Sequence, residues 1–389
     1  MRDSIWLRTL GEADRATLAA SDEAPASAEI VVVGAGPIGL ATAYYLVEAG
    51  VENVCVIDRG DLVGEAGGAN AGGLWFAHQS VAKGAAAAIP LLADSAALYD
   101  ELEDRFTFDR IYGGLLELIE DEPAHAVAKG RAAAARRAGF EAEILDPAEL
   151  RDLEPGLSGD FAGGLLFPDD SQVHPAKLAV GWIRRIRDAG GKVCAHTEAL
   201  RIGPPVVTPA GNIETECVVV ACGAWTPLTT QALGWTPPIR PVRGTLLALP
   251  KMPPGTIRTA VIGPKYYWWQ LPSGEIAGGG SEEQVAFDRA PDEAVVAEIR
   301  ADLAARFPAL AEQPTLCSWT GFRPHCGDLL PVIGGVPGRD DVFVSAGHFR
   351  MGVMTAPGSG LALAQLIVDG ETEIDIEAMR PERFALPQP

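Results

Sequence analysis

The stretch EIVVVGAGPIGLATAYYLVEAGVENVCVID, residues 29–58, restricts the fold of this chain more than any other. Residues 30–33 are apolar and β-branched, which predicts a strand buried on both faces of a parallel sheet. The chain runs straight into Gly34-Ala35-Gly36-Pro37-Ile38-Gly39, and a helical pattern follows to Gly50. A second apolar strand at 54–57 then ends on Asp58. Strand, glycine turn, helix, strand and terminal acid in this order make a dinucleotide-binding unit. Gly34 permits the tight turn, Gly36 lets backbone approach a pyrophosphate, and Gly39 lets helix and strand pack closely. Pro37 and Ile38 open the helix, whose free N–H groups and dipole suit a phosphate. Asp58, with Arg59 beside it, is placed to accept hydrogen bonds from an adenosine ribose.

Length and charge narrow the alternatives. At 389 residues the chain exceeds one ordinary core, so two domains are expected. Its formal charge of −21, from 31 basic and 52 acidic residues, argues against nucleic acid and against docking on anionic membranes. Six cysteines form no CxxC pair and read as reduced core residues. The histidines lack ligand spacing, so no protein-bound metal is expected. Neither a Ser–His–Asp order nor a GxSxG elbow is present, which disfavours hydrolysis. Residues 1–28 lack a hydrophobic targeting core and no apolar run reaches spanning length, so a cytoplasmic protein without membrane insertion is the expectation.

Further along, residues 1–28 read as an arm with Trp6, Leu7 and Leu10 as a small apolar cluster suited to local docking. A glycine-dense loop, DRGDLVGEAGGANAGGL, occupies 58–74 and is too long for a plain connection. Helices are predicted over 85–106, 122–138, from Pro147, and over 175–189. Strands are predicted over 114–119, 193–202 and 216–221. KYYWWQLPSGEIAGGG reads as a hairpin turning at Pro272-Ser273-Gly274, and period-two alternation puts Tyr267 and Trp269 on one face, Tyr266 and Trp268 on the other. A helix over 292–306, an apolar helix ending at Gly370 and a polar, Pro-rich tail wrapping the surface complete the reading.

ANAGGL (69–74), VVVACGAW (218–225), GFRPHCGDLLPVIGG (321–335) and SAGHFRMGVMTAPGSG (345–360) occur in the order in which similar motifs occur in the FAD-dependent D-amino-acid oxidase superfamily. The chain resembles its glycine oxidase, sarcosine oxidase and D-amino-acid dehydrogenase branch from about residue 29 to 370. The resemblance implies an α/β fold, α+β as a whole: a discontinuous Rossmann-like FAD domain (29–80, 165–235, 320–389) and a substrate domain on an antiparallel sheet (81–164, 236–319), after the 1–28 arm. It implies that Asn70, Ala71, Gly72, Gly73 and Leu74 pass close to the flavin. Ala199 would meet adenine through its main chain, and Ala221, Gly223 and Trp225 would lie at the ligand edge of the sheet. Gly347, Met351, Gly352, Val353 and Met354 would lead into a helix start aimed at the flavin C2 carbonyl.

For the substrate, the resemblance assigns Arg323 to a carboxylate, which a guanidinium fork matches with two parallel N–H···O bonds. Tyr267 would assist. Trp269 is a candidate aromatic wall or amine contact, with core packing as an equal reading. Arg350 is either a second carboxylate contact or a flavin contact, and His348 a site-lining group. The implied reaction is FAD-dependent oxidation of the C–N bond of a small amino acid or secondary amine: glycine, sarcosine, a D-amino acid or an imino acid. Hydride passes to flavin N5, the imine hydrolyses, and oxygen is reduced to hydrogen peroxide. Two alternatives stand beside it: a quinone- or partner-linked dehydrogenase, and a non-catalytic flavin-binding subunit of a larger complex. A homo-oligomer or an electron-acceptor partner is compatible with all three. Gly321 stands where covalent relatives carry cysteine, so FAD is expected to be non-covalent.

Overall fold

The computed structural model of the chain describes residues 4–384. Its first layer is a six-stranded sheet in the order Val332–Gly335, Val342–Ala346, Cys217–Val220, Ile30–Val33, Val54–Ile57, Lys192–Cys194. All pairs are parallel except the first, which is antiparallel. Ile30–Val33 is fully buried, as its unbroken β-branched run requires. It also sits where the strand order reverses, the place where open α/β sheets form a ligand crevice beyond the strand ends. Helices Pro37–Glu48 and Ala356–Val368 cover one face and cross closely, because Gly360 has no side chain to hold Ala41 away.

The second layer is an eight-stranded sheet in the order Cys317–Cys326, Ile239–Lys251, Glu275–Gly279, Tyr267–Gln270, Ala260–Ile262, Leu115–Ile119, Gly163–Phe167, Glu143–Leu145. It is antiparallel apart from the pair Ala260–Ile262 with Leu115–Ile119. The two-domain architecture, with a discontinuous parallel sheet and a mostly antiparallel one, is that of the expectation, but two boundaries differ. Cys317–Cys326 was assigned from residue 320 to the nucleotide-binding part, yet it pairs along its whole length with Ile239–Lys251. Gly163–Phe167 likewise pairs with Leu115–Ile119 rather than entering the parallel sheet at 165. The GFRPHCG segment therefore belongs to the substrate-side sheet and delivers its side chains to the seam between the layers.

Two other expectations change. The strand expected over 193–202 stops at Cys194; His196 adopts φ +53, and the chain turns so that the Leu200 N–H bonds to the Val207 carbonyl. The final helix starts at Ala356, so 351–355 is a turn ahead of it. In the arm, Trp6, Leu7 and Leu10 are all buried, so the apolar cluster docks. Helix Ile5–Arg8 puts Ile5 and Trp6 at zero exposure, and helix Glu12–Ala19 is fastened to helix Pro175–Asp188 by Arg184–Asp14 (2.8 Å), with Arg187–Asp22 (3.0 Å) just beyond its end. In the tail, Ile374, Ile376 and Met379 are buried, so apolar anchors hold a segment whose composition reads as polar. Residues 1–3 and 385–389 lie outside the described residues. No helix among the described residues is long and apolar enough to cross a membrane.

Candidate active site and cofactor cradle

A cavity of about 1250 Å³ opens at the ends of the central parallel strands and runs along the seam between the sheets. Small-molecule sites usually span roughly 300–1,000 Å³, so this one has room for a dinucleotide and a substrate together. The glycine turn lines its start. Gly34 has φ +117, and a Cβ there would lie 2.3 Å from the Ala221 carbonyl oxygen. A Cβ on Gly39 would lie 1.9 Å from the Gly34 oxygen, whereas one on Gly36 would meet nothing within 4 Å. Gly39 is thus a packing glycine behind the cavity, and Gly36 faces open space where a pyrophosphate fits. No side chain caps the helix that begins at Pro37, so its first N–H groups remain for an anion. Gly39→Ala should push helix from strand and abolish flavin retention; a purified Ala variant carrying a full complement of FAD would contradict this.

The acid after the second strand is built in as well. Asp58 Oδ2 accepts from the Ala35 N–H (2.8 Å) and Oδ1 from Gly60 N–H (2.9 Å), which fixes the carboxylate beside the glycine turn. Burial pushes its carboxyl above the usual range, while these two amides and Arg59 oppose the rise. A carboxylate offers about four acceptor positions, so two remain for ribose hydroxyls. Arg59 lies over the Trp225 ring at 4.3 Å. Ala199, Ala221 and Gly223 line the same end. Cys222, also there, is the one cysteine among the described residues that lines the cavity, and burial pushes its thiol up to about 12. It is no ready nucleophile for a covalent link.

The 58–74 loop is held by its own polar groups. Asn70 Nδ2 donates to Ala66 O (3.1 Å) and Gly67 O (2.6 Å), and Oδ1 accepts from Gly72 N–H (2.7 Å). Both amide hydrogens are used, so Asn70 shapes the loop rather than offering its side chain to a ligand. Ala71, Gly72 and Gly73 line the cavity, while Leu74 is buried behind it. Trp6 packs against the back of this loop: its Nε1 donates to the Asn70 carbonyl (2.6 Å), and its ring fills the space beside Gly72.

At the other end, Gly352, Val353 and Met354 line the cavity, and Tyr99 donates its hydroxyl to Val353 O at 2.5 Å. The exposed backbone is therefore the turn ahead of the last helix, not the helix start itself. Gly347 packs on Cys326 and Ile239, and Met351 is buried toward a neighbouring cavity. His348 lines the main cavity, and its Nε2 lies 3.0 Å from Ser359 Oγ. Burial pushes this imidazole down to about 3, so it is neutral near pH 7. His174, against Trp6, is pushed down by burial to about 4. For both, the unfolded chain takes up a proton near 6.5 and the folded chain does not. Their contribution to stability is complete above that value and is lost as pH falls from 6.5 toward 3–4. The apoprotein should melt progressively lower through this window, and His348→Gln should flatten the fall; an unchanged pH slope in the variant would contradict it.

The substrate end is organised by the corner Gly280-Ser281. The Tyr267 ring lies where a Gly280 side chain would be, with a hypothetical Cβ 2.2 Å from its Cε1. Arg323 Nη1 donates to the Ser281 carbonyl at 2.7 Å, and its guanidinium lies over Gly244. The two side chains thus converge on adjacent residues. No carboxylate among the described residues pairs with Arg323, and it lines the cavity. Of the other arginines nearby, Arg243 pairs with Glu283, and Arg350 contacts Glu282 through one carboxylate oxygen (2.5 Å).

The aromatic wall differs from expectation. Tyr267 and Trp269 do share a face, with centroids 5.9 Å apart, and Tyr266 and Trp268 pack in a separate core. Trp269, however, is only 1% exposed, does not line the cavity, and stacks on Trp6 at 6.1 Å. The ring beside Tyr267 in the cavity is Trp75, edge-on at 5.2 Å. Trp75 lies over Gly73, where a Cβ would come within 2.6 Å of the indole, so the missing side chain makes room for this ring rather than for substrate. Its Nε1 is buried without a hydrogen-bond partner. Farther out, Glu117 pairs with Arg131 and lies 3.5 Å from His78, whose backbone N–H donates to Asp170. Neither Trp75 nor this charged group stood out in the sequence; the one available signal was that Trp75 directly follows the ANAGGL motif.

A parallel nucleotide-binding sheet, a glycine cradle and a second sheet bearing an arginine without an acid partner among the described residues are the features of a dinucleotide-dependent oxidoreductase. The profile of a family described as FAD dependent oxidoreductase matches residues 29–366, and the chain belongs to that family. It is 29% identical to the hydrogen cyanide synthase subunit HcnC of Pseudomonas aeruginosa, over 93% of this chain and 97% of that protein. It is 28% identical to the glycine oxidase of Geobacillus kaustophilus, over 90% and 95%. The crystal structure of glycine oxidase from Geobacillus kaustophilus superposes with a TM-score of 0.87 at 27% identity, covering 93% of this chain and 100% of that one. That of L-proline dehydrogenase from P. horikoshii gives 0.85 at 26%, covering 93% and 98%. The cradle described above fits the FAD that the family uses.

Proposed function

We propose that this enzyme oxidises the C–N bond of a small amino acid or secondary amine, with FAD held non-covalently and oxygen as electron acceptor. The observation that carries the reading is Arg323: a partly buried guanidinium in a cavity, without an acidic partner among the described residues, beside Tyr267. Such an arginine is stabilised by a bidentate carboxylate supplied by a ligand. Arg323 and the Tyr267 hydroxyl would bind the substrate carboxylate, and Trp75 with Tyr267 would exclude water from the Cα–H and amine. Bound FAD supplies a two-electron acceptor for the hydride leaving the α-carbon. Neutral His348 adds no charge that would repel the amine. The imine then takes up water, its C=N bond breaks, and a 2-oxo acid or aldehyde leaves together with ammonia or, from a secondary amine, a primary amine. Glycine oxidase and L-proline dehydrogenase among the relatives agree with this class. A partner-linked dehydrogenase is the second reading, favoured by similarity to a protein named as a synthase subunit. Aerobic incubation with glycine, sarcosine, D-alanine or proline should yield carbonyl product and hydrogen peroxide in equal amounts. Carbonyl formation that needs an added dye acceptor would favour the second reading.

Substrate size should follow the two rings. Glycine, sarcosine, D-alanine or a cyclic imino acid should reduce the flavin faster than D-lysine or D-arginine, and Trp75→Ala should narrow that preference about tenfold or more, consistent with about 1–3 kcal/mol for a pocket contact. Parent enzyme that prefers long cationic substrates, or an Ala variant with unchanged ranking, would show that Trp75 does not set the limit.

A further inference from the structure

A second cavity of about 340 Å³ adjoins the first. The two share Gln79, Ala82, Glu282, Phe349 and Arg350, so the Arg350–Glu282 pair forms part of the wall between them. The charged groups lining the second cavity are Lys83, Arg240, Arg350 and Glu282, three cations against one acid, with His325 beside them. The chain as a whole carries −21, so this local balance runs against the protein's own field. Arg240 donates to Gln284 (3.1 Å), a neutral partner, which leaves its charge uncompensated there. Arg350 donates its Nε–H to Glu282 Oε1 (2.7 Å) and holds Nη2 2.5 Å from the same oxygen, so one carboxylate oxygen engages only one side of a guanidinium that carries five N–H groups. His325 Nδ1 is buried without a hydrogen-bond partner, and His325 is two residues from Arg323 on the same strand, Cys317–Cys326. A donor-rich, cation-lined space has thus been placed next to the site in which Arg323 would take a substrate carboxylate.

We propose that this antechamber is a subsite for a second anionic group, so that the preferred substrate is a small amino acid carrying two carboxylates. The inference rests on amine oxidation at the Arg323 site and specifies its substrate class. One carboxylate is held at Arg323, and the other is held by Arg350 and drawn in by Lys83 and Arg240 at the rim. Zwitterionic substrates such as glycine carry no net charge and gain nothing from the field, whereas a doubly acidic amino acid carries one net negative charge and is attracted by it. Two bulky rings at Trp75 and Tyr267 limit apolar bulk but not a short acidic arm directed toward Arg350.

The test uses the FAD-loaded protein, anaerobically, with both enantiomers of aspartate and glutamate beside glycine and both enantiomers of alanine. The second-order constant for flavin reduction should be at least tenfold higher for one of the acidic substrates than for its neutral counterpart at low salt. Lys83→Glu with Arg240→Glu should remove that advantage and change the neutral substrates less than twofold, and 0.5 M salt should act on the parent in the same direction. Equal constants for acidic and neutral substrates, or an equal loss of both in the double variant, would overturn the proposal. Calorimetric titration with succinate and propionate, which cannot be oxidised at a C–N bond, separates this subsite from the reaction itself. Succinate should bind at least tenfold tighter than propionate and lose that margin in the double variant; equal affinities would refute the subsite even if amino acids bleach the flavin. If no amino acid bleaches it but succinate retains its advantage, the subsite stands and the amine-oxidation reading fails.

Discussion

Arg323→Ala should retain FAD and lose most of its reaction with any carboxylate substrate. The guanidinium is anchored on one side by the Ser281 carbonyl and lies over Gly244, with no acid among the described residues to neutralise it. A substrate carboxylate would therefore complete a partly buried charge pair, and truncating one member of such a pair costs about 2–5 kcal/mol. That is a drop of roughly 30-fold to several thousand-fold in the second-order constant for flavin reduction. Lysine at this position keeps the charge but not the planar fork, so it should recover only part. Flavin content and visible spectrum report whether the cradle is intact in each variant. An Ala variant that amino acids reduce as fast as the parent would make Arg323 a structural residue.

Trp6→Ala should have the second large effect, and it should act on the cofactor. Trp6 bridges the N-terminal segment, the flavin loop and the substrate hairpin. It donates to Asn70 O, packs beside Gly72, and stacks on Trp269, which in turn touches Tyr267. Removing a fully buried indole costs about 3–5 kcal/mol of stability, and the void lies directly behind the loop that would cradle the flavin. The Ala variant should lose FAD on desalting. Trp6→Phe keeps much of the packing and loses the N–H···O bond, about 1 kcal/mol, so it should hold FAD more weakly than the parent but still copurify with it. An Ala variant that melts earlier yet binds FAD with parental affinity would show that Trp6 supports the fold without positioning the loop.

The two substitutions also mark where the sequence was legible. The glycine turn could be read in full because its requirements are local: positive φ at Gly34, open space at Gly36 and helix–strand contact at Gly39 follow from a few adjacent residues. Arg323 and Tyr267 could be named from motifs, and they do converge on Gly280-Ser281, but that corner comes from a distant strand pairing. Alternation along the hairpin put Tyr267 and Trp269 on one face, and no more. Which of the two rings reaches the cavity depends on Trp6 filling the space behind Trp269, and on Trp75 lying over Gly73. Both are long-range packing outcomes that periodicity does not encode. Asn70 shows a similar limit: a polar side chain in a glycine-rich loop can serve the ligand or the loop, and only the hydrogen bonds to Ala66, Gly67 and Gly72 decide. The domain boundaries moved because strand Cys317–Cys326 carries a motif that spans two sheets.

The most direct measurement is anaerobic mixing of the FAD-loaded protein with a panel of small amino acids and secondary amines while the flavin absorbance is followed. It isolates substrate oxidation from the identity of the electron acceptor. At least one carboxylate-bearing amine should bleach the flavin in a single saturable phase, and the same compound should fail to do so at comparable rates with Arg323→Ala. Flavin that stays oxidised with every amine of the panel, or that is bleached equally by substrates lacking a carboxylate, would contradict the account.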